Sequence, residues 1–447
     1  MKYYLFLAFS FLTLSLQAQR DPFLWPFADS SIWNMPIGAN ANYVPALIQS
    51  ADAYGMTVDE DLIVLKPNAP LEGIYLNEAD WDQNRDRCPE EGPLLFSAPI
   101  PAEFIVSPDN WDGLTPNSGL AVLMPDGVTI KQTQPFARCT PTTATSHYTP
   151  PDVNLFGDGV RGAHGGSGLS AIGGTLRLGE LDESSDTIRH VLKVNLFAAE
   201  NLFYDAATEG YRWPAIRADG YAPNTYGTQR INPIVMACRM GALLALLPSL
   251  DLDSMNFETI PARILAQAFQ DYGAYIVDDT AWDVYALVTE WSPDGRFTDE
   301  FEAAWGFPFT ESNRNTPWTR DMARIFTNLH VVDNNAPNQI GGGGPPRMPL
   351  APAFGTTSLE SQTAECTACS FTVFPNPFSD QISIHTDQAH LQWTIWNWAG
   401  QMVLSGQATS SGLKISTASL ANGLYFLEVT DAYSGTSIRR KIVKVPH

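Results

Sequence analysis

Residues 157–196 read GDGVRGAHGGSGLSAIGGTLRLGELDESSDTIRHVLKVNL, and this stretch is the most informative part of the chain for predicting its fold. Seven glycines lie between Gly162 and Gly179, with His164 among them. Because glycine has no Cβ atom, such a segment can adopt positive φ and lets another backbone or a ligand come close. The sequence therefore predicts an irregular, closely approached backbone around one histidine.

Two strand-like runs follow, 175–181 and 187–196, joined by an acidic turn. If they form a hairpin, alternation of side chains between the two faces makes Glu180 and His190 neighbours near its turn. Arg177 would point to the opposite face unless the nearby glycine forms a bulge that re-aims it. This interpretation predicts a carboxylate beside an imidazole, walled by aliphatic side chains.

Composition restricts the class of protein. Of 447 residues 44% are hydrophobic and only 17% are charged, with 33 Gly and 33 Pro, which favours an extracellular protein rich in strands and loops. The formal net charge of -22 argues against nucleic acid as a partner, because phosphate binding needs concentrated Lys and Arg. It also disfavours a polyanionic substrate unless a local basic cleft overrides the overall field.

The N-terminus and the cysteines both indicate export. Residues 1–18 combine a positive start, a 12-residue apolar run and a small-residue cleavage site, as in a secretory signal peptide; no other apolar run is long enough to span a bilayer. Outside the cytoplasm we expect Cys88 and Cys139 to form a disulfide. Cys238 lies in an apolar run and is expected to be buried. The Cys366–Cys369 pair is interpreted as a linker staple or free thiols rather than a zinc site.

The body, residues 19–338, is predicted to be a mainly-β α+β domain, sandwich-like with a few helices. A hairpin is expected over 121–131, turning at Pro125–Gly127. The clearest helix spans 259–273, with Thr259 as its N-cap and Gly273 ending it. Strands are expected at 274–277 and 282–288, and shorter helices at 41–53, 299–305 and 318–327.

Residues 339–370 begin with four glycines and several prolines and predict a semi-flexible linker. Residues 371–447 then contain about seven short strands, which predicts a small seven-stranded β-sandwich. Its motifs are VFPNPF at 373–378, NWAGQ at 397–401, LANGLYF at 420–426 and KIVK at 441–444. In this order and spacing they resemble the C-terminal sorting domain of type IX secretion substrates. The resemblance implies recognition by the type IX machinery of a Bacteroidetes-type cell, followed by release or attachment at the cell surface.

The body carries a second resemblance. GAHGGSGLS at 162–170, GEL at 179–181, IRH at 188–190 and WPA at 213–215 are similar to a widespread group of secreted bacterial proteins. That resemblance supports the fold and implies no particular activity.

Our first functional hypothesis is an extracellular enzyme that acts on polysaccharide, as a lyase or a hydrolase. Glu180, His190 and His164 are its candidate catalytic residues, with carboxylate and imidazole serving as acid and base. On a uronic-acid polymer Arg177 would neutralise the substrate carboxylate during β-elimination, whereas on a neutral glycan Glu180 and Asp279 would form the carboxylate pair. The alternatives are that His190 is a core histidine satisfied by Glu180, and that His164 is a loop histidine.

Substrate-binding candidates come from an aromatic loop, 211–226, which includes Trp213, Asp219 and Tyr221, and from Asp279. Asp278, Asp279 and Asp283 could be catalytic or calcium ligands, although a plain polar turn is favoured because no EF-hand spacing accompanies them. Around Trp81 a solvated loop tethered by Cys88 is favoured over a sugar-lining surface. A surface glycan-binding or adhesion protein without catalysis remains the second hypothesis, and the sequence assigns neither a metal nor a cofactor.

Overall fold

The computed structural model describes residues 20–82, 85–107, 115–231, 233, 235–354, 371–376, 378–386, 391–397, 402–408, 412–431 and 437–445. The chain divides into two compact units, Met1–Gly355 and Thr356–His447. The predicted signal peptide and the Cys366–Cys369 pair lie outside the described residues.

The described body contains fifteen strands and five α-helices. The strands are β1 Tyr43–Pro45, β2 Met56–Val64, β3 Leu71–Leu76, β4 Leu94–Pro99, β5 Leu120–Leu123, β6 Thr129–Thr133, β7 Ala137–Thr140, β8 Thr143–Ser146, β9 Val153–Asn154, β10 Leu192–Leu196, β11 Leu243–Ala245, β12 Ala274–Asp279, β13 Tyr285–Ser292, β14 Gly295–Arg296 and β15 His330–Val332. The helices are α1 Ala198–Asn201, α2 Ala222–Thr225, α3 Ile260–Asp271, α4 Phe297–Trp305 and α5 Pro317–Thr327. Short 3-10 turns cover Leu252–Met255 and Ile340–Gly342. The body is therefore a mainly-β α+β domain, as the sequence predicts.

One 11-stranded mixed sheet organises the body, in the order β1-β15-β11-β12-β10-β13-β2-β5-β6-β9, with β14 paired to β13. The pairs β10–β12, β13–β2 and β2–β5 are parallel, and the other described pairs of this sheet are antiparallel. Apolar residues of α3, α4 and α5 pack on one face of the sheet. The glycine-rich segment and the Trp33 region pack on the opposite face.

A second sheet, in the order β4-β3-β8-β7, gives one end of the body its sandwich character. Ile74, Ala98 and Ala144 from this sheet share a buried core with Leu62 and Leu120 of the large sheet. The expected disulfide Cys88–Cys139 is present, with the two Cα atoms 5.6 Å apart, and it ties the 85–88 loop to β7.

Several predicted elements are confirmed. The hairpin over 121–131 corresponds to β5 and β6 in antiparallel register. The helix predicted at 259–273 is α3, although its N-cap Thr259 makes no side-chain capping bond and donates its hydroxyl to Asp321 instead. Cys238 is buried, and burial raises the pKa of its thiol to about 12.

Two predicted elements are wrong. Residues 41–53 form no helix, because Tyr43–Pro45 pairs with β15 and takes its backbone partners there. The hairpin of 175–181 with 187–196 is also absent. The chain turns at residues 177–180, where the Glu180 carboxylate accepts a hydrogen bond from the Arg177 amide at 2.8 Å, and only 192–196 is a strand.

The body extends beyond residue 338, where the linker was expected to begin. The Gly341 amide donates to Asn335 Oδ1 at 2.9 Å, and the Gly38 amide donates to the Gly341 carbonyl at 2.9 Å. Residues 339–354 therefore belong to the body.

In the second unit the described residues form seven strands. They are β16 Phe371–Phe374, β17 Gln381–Thr386, β18 Leu391–Asn397, β19 Met402–Ala408, β20 Gly412–Ser416, β21 Gly423–Asp431 and β22 Ser437–Lys444. A three-stranded sheet (β16-β17-β20) and a four-stranded sheet (β19-β18-β21-β22) share one apolar core that includes Ile384, Ile395 and Leu427. This is the predicted seven-stranded sandwich.

Candidate functional site

Carboxylates of the large sheet face the glycine-rich segment. Along β2, Asp59 and Asp61 are two residues apart and so lie on the same face of the strand as Ile63. A β-bulge between β10 and β12 shifts the register so that Asn195 pairs with Asp278. The bulge places a carboxylate beside an amide just where β12 leaves the hydrophobic core.

His164 lies between the two carboxylates of β2. Its side chain is 3% exposed, with Nδ1 3.1 Å from Asp61 Oδ1 and Nε2 3.3 Å from Asp59 Oδ2. Asp59 also accepts a hydrogen bond from Asn195 Nδ2 at 2.9 Å. Nε2 has no hydrogen-bond partner in the described part of the chain.

Asp61 is fully buried and fully partnered. It accepts hydrogen bonds from the Lys193 ammonium and the Thr175 hydroxyl. Burial alone would raise the pKa of Asp61, but the charges and hydrogen bonds of Lys193 and His164 outweigh it and lower that pKa to about 2. An ionised carboxylate only accepts hydrogen bonds, so Nδ1 of His164 carries a proton and donates it to Asp61.

Two glycines let the backbone beside His164 touch Asp278. A Cβ atom on Gly165 would lie 2.2 Å from Asp278 Oδ2, and one on Gly166 would lie 2.7 Å from Oδ1. Gly166 also has a φ of 42°, which L-residues adopt at a cost. The glycine-rich sequence thus allows the histidine and the carboxylate to share one small space.

These groups line a cleft of about 630 Å³, a volume within the usual range for small-ligand sites. Trp81, Tyr221 and Trp282 stand at its border, each 39–50% exposed. Its acidic lining residues are Asp59, Asp219, Asp278 and Asp279. Among the described lining residues, Arg217 is the only Lys or Arg, so the cleft is strongly negative.

The carboxylates of the cleft raise one another's pKa values. Burial, followed by the charges of Asp219 and Asp59, raises the pKa of Asp278 well above its usual value. Burial also raises the pKa of Asp279, to about 6, although its carboxylate accepts hydrogen bonds from the Ala198 amide at 2.7 Å and the Tyr221 hydroxyl at 3.2 Å. A cation or a proton is therefore favoured in this cleft.

Two further acceptors lack a partner among the described residues. Gln134 Oε1 and Asn195 Oδ1 are buried, and both residues line the cleft. Each side chain is fixed through its amide nitrogen, since Gln134 Nε2 donates to the Asn117 carbonyl at 3.0 Å and Asn195 Nδ2 donates to Asp59. The two oxygens are thus buried acceptors whose amide groups are held in place from the nitrogen side.

The predicted site residues fall into two places. Glu180 and His190 do meet, with His190 Nε2 3.0 Å from Glu180 Oε2. His190 Nδ1 lies 2.9 Å from the Val191 carbonyl, and His190 borders a separate space of only about 10 Å³ together with Arg177. Arg177 is engaged by Glu290 at 2.6 Å. His164 is not part of this group.

Of the other predicted residues, Asp219, Tyr221 and Asp279 line the large cleft with His164. Trp213 packs against the hydrophobic core instead. Asp283 accepts hydrogen bonds from the backbone amides of Asp52 and Ala53 and holds that loop. Trp81 lines the cleft, and its loop is tethered through the Cys88–Cys139 disulfide as the sequence interpretation favoured.

Sequence reasoning missed Asp59 and Asp61. The signal was present: DED at 59–61 interrupts a strand that is otherwise apolar, and period-2 alternation puts both aspartates on the buried face. Two carboxylates on the inner face of a core strand need partners, and His164 and Lys193 supply them.

Comparison with known proteins identifies the C-terminal unit. Residues 372–445 match the family model described as the secretion system C-terminal sorting domain. This confirms the predicted type IX sorting domain, so the protein is an export substrate of that machinery and is secreted or located at the cell surface. None of the helices in the described part of the chain has the length and hydropathy needed to cross a bilayer.

The remaining comparisons add little. The search of curated proteins found no match. One similar solved structure is reported as PorZ, an essential bacterial surface component of the type-IX secretion system of human oral-microbiomic Porphyromonas gingivalis. That similarity covers 27% of this chain and 14% of that chain, with 16% identity and a TM-score of 0.16, which is too low to indicate a common fold.

Proposed function

We propose that the exported body is a glycoside hydrolase that cleaves an uncharged extracellular polysaccharide in the cleft formed by the large sheet and the 217–221 loop. The observation that carries the proposal is the composition of this cleft. It combines an acidic floor with three half-exposed aromatic side chains. Aromatic faces stack on sugar rings, and carboxylates accept hydrogen bonds from sugar hydroxyls.

The charge of the cleft favours a neutral substrate. Four aspartates face a single arginine among the described lining residues, so a uronic-acid polymer would be repelled. Arg177, the residue that a β-elimination was expected to use, is held by Glu290 outside the cleft lining. A hydrolase is therefore better supported than a lyase.

Asp279 and Asp219 are the proposed carboxylate pair, and Asp219 takes the place that the sequence interpretation gave to Glu180. Asp279 donates a proton to the glycosidic oxygen as the C–O bond breaks and its electron pair passes to that oxygen. Asp219 removes a proton from a water molecule whose oxygen bonds to the anomeric carbon. One water is consumed, one reducing end appears, and proton exchange with solvent restores both carboxyl groups. Glu180 and His190 have a structural role in this proposal.

The test is incubation of the purified protein with a panel of neutral and uronic-acid polysaccharides. New reducing ends without absorbance at 232 nm are the expected result on at least one neutral polymer. Asp279→Asn should lower kcat by about 100-fold or more, the usual contribution of a general acid. Trp282→Ala should weaken binding roughly two- to tenfold, the range of an aromatic stacking contact. Phe23→Ala is the matched control, because Phe23 is 39% exposed and does not line the cleft.

Other outcomes would replace the proposal. Absorbance at 232 nm would identify a lyase. Saturable binding that Trp282→Ala weakens, with no new reducing ends, would identify the glycan-binding or adhesion protein of the second hypothesis. If the protein neither binds nor cleaves any polymer of the panel, the glycan assignment is wrong.

A further inference from the structure

The acidic floor of the cleft contains a group of side chains that the hydrolytic proposal does not use. Oxygen atoms of Asp59 and Asp278 and a ring nitrogen of His164 lie within 4.8 Å of one another. Ligands at about 2.0–2.6 Å from one ion can be separated by at most twice that distance, so the three atoms fit around a single cation after small movements.

The orientation of His164 supports a metal ligand. Its Nδ1 is held 3.1 Å from the buried Asp61, which is itself fixed by Lys193 and Thr175. Metal-binding histidines nearly always donate their other ring N–H to such a carboxylate or carbonyl, which fixes the tautomer and the ring. Nε2 of His164 is left buried, aimed into the cleft and without a hydrogen-bond partner among the described residues.

The competing arrangement is an imidazolium shared by Asp59 and Asp61. In that case both ring nitrogens would donate hydrogen bonds, as the Nδ1 nitrogen does to Asp61. Nε2 instead approaches Asp59 Oδ2 at 3.3 Å without forming a hydrogen bond. If Nε2 carries no proton, its lone pair faces the Asp59 carboxylate, which is unfavourable unless a cation lies between them.

A side-chain amide and a backbone amide hold the two aspartates in the same way. Asn195 Nδ2 donates to Asp59 Oδ2 at 2.9 Å, and the Asp279 amide donates to Asp278 Oδ1 at 2.9 Å. The absence of side chains at Gly165 and Gly166 lets the Asp278 carboxylate lie against the backbone beside His164. Each of the three side chains is thus held by a second group, the arrangement found around protein metal centres.

We propose that Asp59, His164 and Asp278 bind one divalent transition-metal cation, of the Zn²⁺ or Mn²⁺ type. One imidazole and two carboxylates suit these ions better than Ca²⁺ or Mg²⁺, which prefer oxygen ligands alone. Three protein ligands leave coordination positions open towards the cleft, where water or a substrate hydroxyl would complete the shell. This inference does not rest on the glycan proposal.

The experiment is calorimetric titration of the purified, chelator-treated protein with ZnCl2, MnCl2 and CaCl2 in turn. We expect one saturable site per chain for Zn²⁺ or Mn²⁺, with Ca²⁺ at least about tenfold weaker. His164→Gln and Asp278→Asn should each weaken that binding by about 100-fold or more, given that loss of a supporting group alone costs 10- to 100-fold. Asp219→Asn is the comparison variant, because it removes one carboxylate of the same cleft outside the trio. It should weaken cation binding less than either ligand substitution, since it removes a nearby charge and no ligand atom.

The wild-type titration alone can overturn the proposal, and it needs no variant to fold. The absence of a saturable site for all three cations would leave the shared imidazolium as the correct arrangement. Equal weakening by Asp219→Asn and Asp278→Asn would mean diffuse attraction to the acidic cleft, not coordination. Circular dichroism of each variant checks that its body is folded. Because the readout is cation binding, it is independent of whether any polysaccharide is cleaved.

Discussion

Four glycine-to-alanine substitutions test whether the glycine-rich segment exists to hold Asp278. Gly165→Ala adds a methyl group against Asp278 at a position where φ is not positive. Gly166→Ala adds a similar contact and also places alanine at a φ of 42°. Gly179→Ala places alanine at a φ of 82°, but no atom lies within 4 Å of the new Cβ. At Gly220 the backbone φ is not positive and the new Cβ would touch no atom within 4 Å. The set therefore separates backbone strain from the contact with Asp278.

The contact sets the size of the expected effects. Ordinary van der Waals contact begins at 3.4 Å, so Oδ2 of Asp278 must retreat about 1.2 Å from the Cβ of Ala at position 165, and Oδ1 about 0.7 Å from that at 166. Overpacking of this kind costs about 1–3 kcal/mol, and a positive φ on alanine costs about 1–2 kcal/mol. We expect the free energy of unfolding to fall by about 1–3 kcal/mol for Gly165→Ala, about 2–5 kcal/mol for Gly166→Ala and about 1–2 kcal/mol for Gly179→Ala, and to stay nearly unchanged for Gly220→Ala.

The functional effect should separate more sharply than the stability. A displacement of about 1 Å in a reacting or binding group can cost about 100-fold. Gly165→Ala and Gly166→Ala should therefore lose cation affinity by about that factor, whereas Gly179→Ala should lose stability alone.

Urea unfolding followed by tryptophan fluorescence gives the stabilities, and the calorimetric titration gives the cation affinity. If Gly165→Ala matches Gly220→Ala in both assays, close approach to Asp278 is not the reason for glycine at position 165. Equal functional loss in Gly179→Ala would show that general loosening of the body, not displacement of Asp278, weakens the site.

Two further predictions concern buried charges. Lys193→Met leaves Asp61 buried without its cation, so the free energy of unfolding should fall by about 3–5 kcal/mol in urea titration, and adding Asp61→Asn should recover part of the loss; no recovery would mean that lost packing of the lysine stem is the cause. Burial alone would lower the pKa of His190, but Glu180 and the Val191 carbonyl outweigh burial and the Arg177 charge and raise it above 6.5. This histidine therefore adds stability that is fully present below about pH 6.5 and is lost as the pH rises through the raised pKa. Melting temperatures measured from about pH 5.5 to 8.5 should show this decline, and Glu180→Gln should flatten it; an unchanged slope in that variant would contradict the assignment.

Local patterns in the sequence were sufficient to predict some elements. The 259–273 helix has apolar residues at helical spacing, and the hairpin at 125–127 has a strong turn sequence, so both are set by nearby residues. The C-terminal sandwich was predicted from strand spacing and ordered motifs. In the helix and the hairpin the decisive interactions join residues close in the chain.

The candidate site could not be predicted in the same way. Asp59 and His164 are more than 100 residues apart, and their contact depends on β2 lying between β13 and β5 in the large sheet. Parallel strand order is set by long-range packing, which a single sequence does not display. Glu180 and His190 meet as expected, yet through a turn closed by the Glu180 side chain rather than through a hairpin. Proximity in the chain made that prediction succeed although its structural basis was wrong.

The distribution of partners around His164 explains why the two sides of this histidine have different roles. On the core side, Asp61 has Lys193, Thr175 and the imidazole, so its charge is neutralised and its hydrogen bonds are made. On the cleft side, Asp59 and Asp278 receive only neutral amide donors among the described residues, and their charges oppose each other. A purely structural cluster gains stability by pairing both sides, because each uncompensated buried charge costs free energy. The unpaired half is relieved either by a proton on Asp278, whose pKa is raised by burial and the neighbouring carboxylates, or by a bound cation, and the calorimetric titration distinguishes the two.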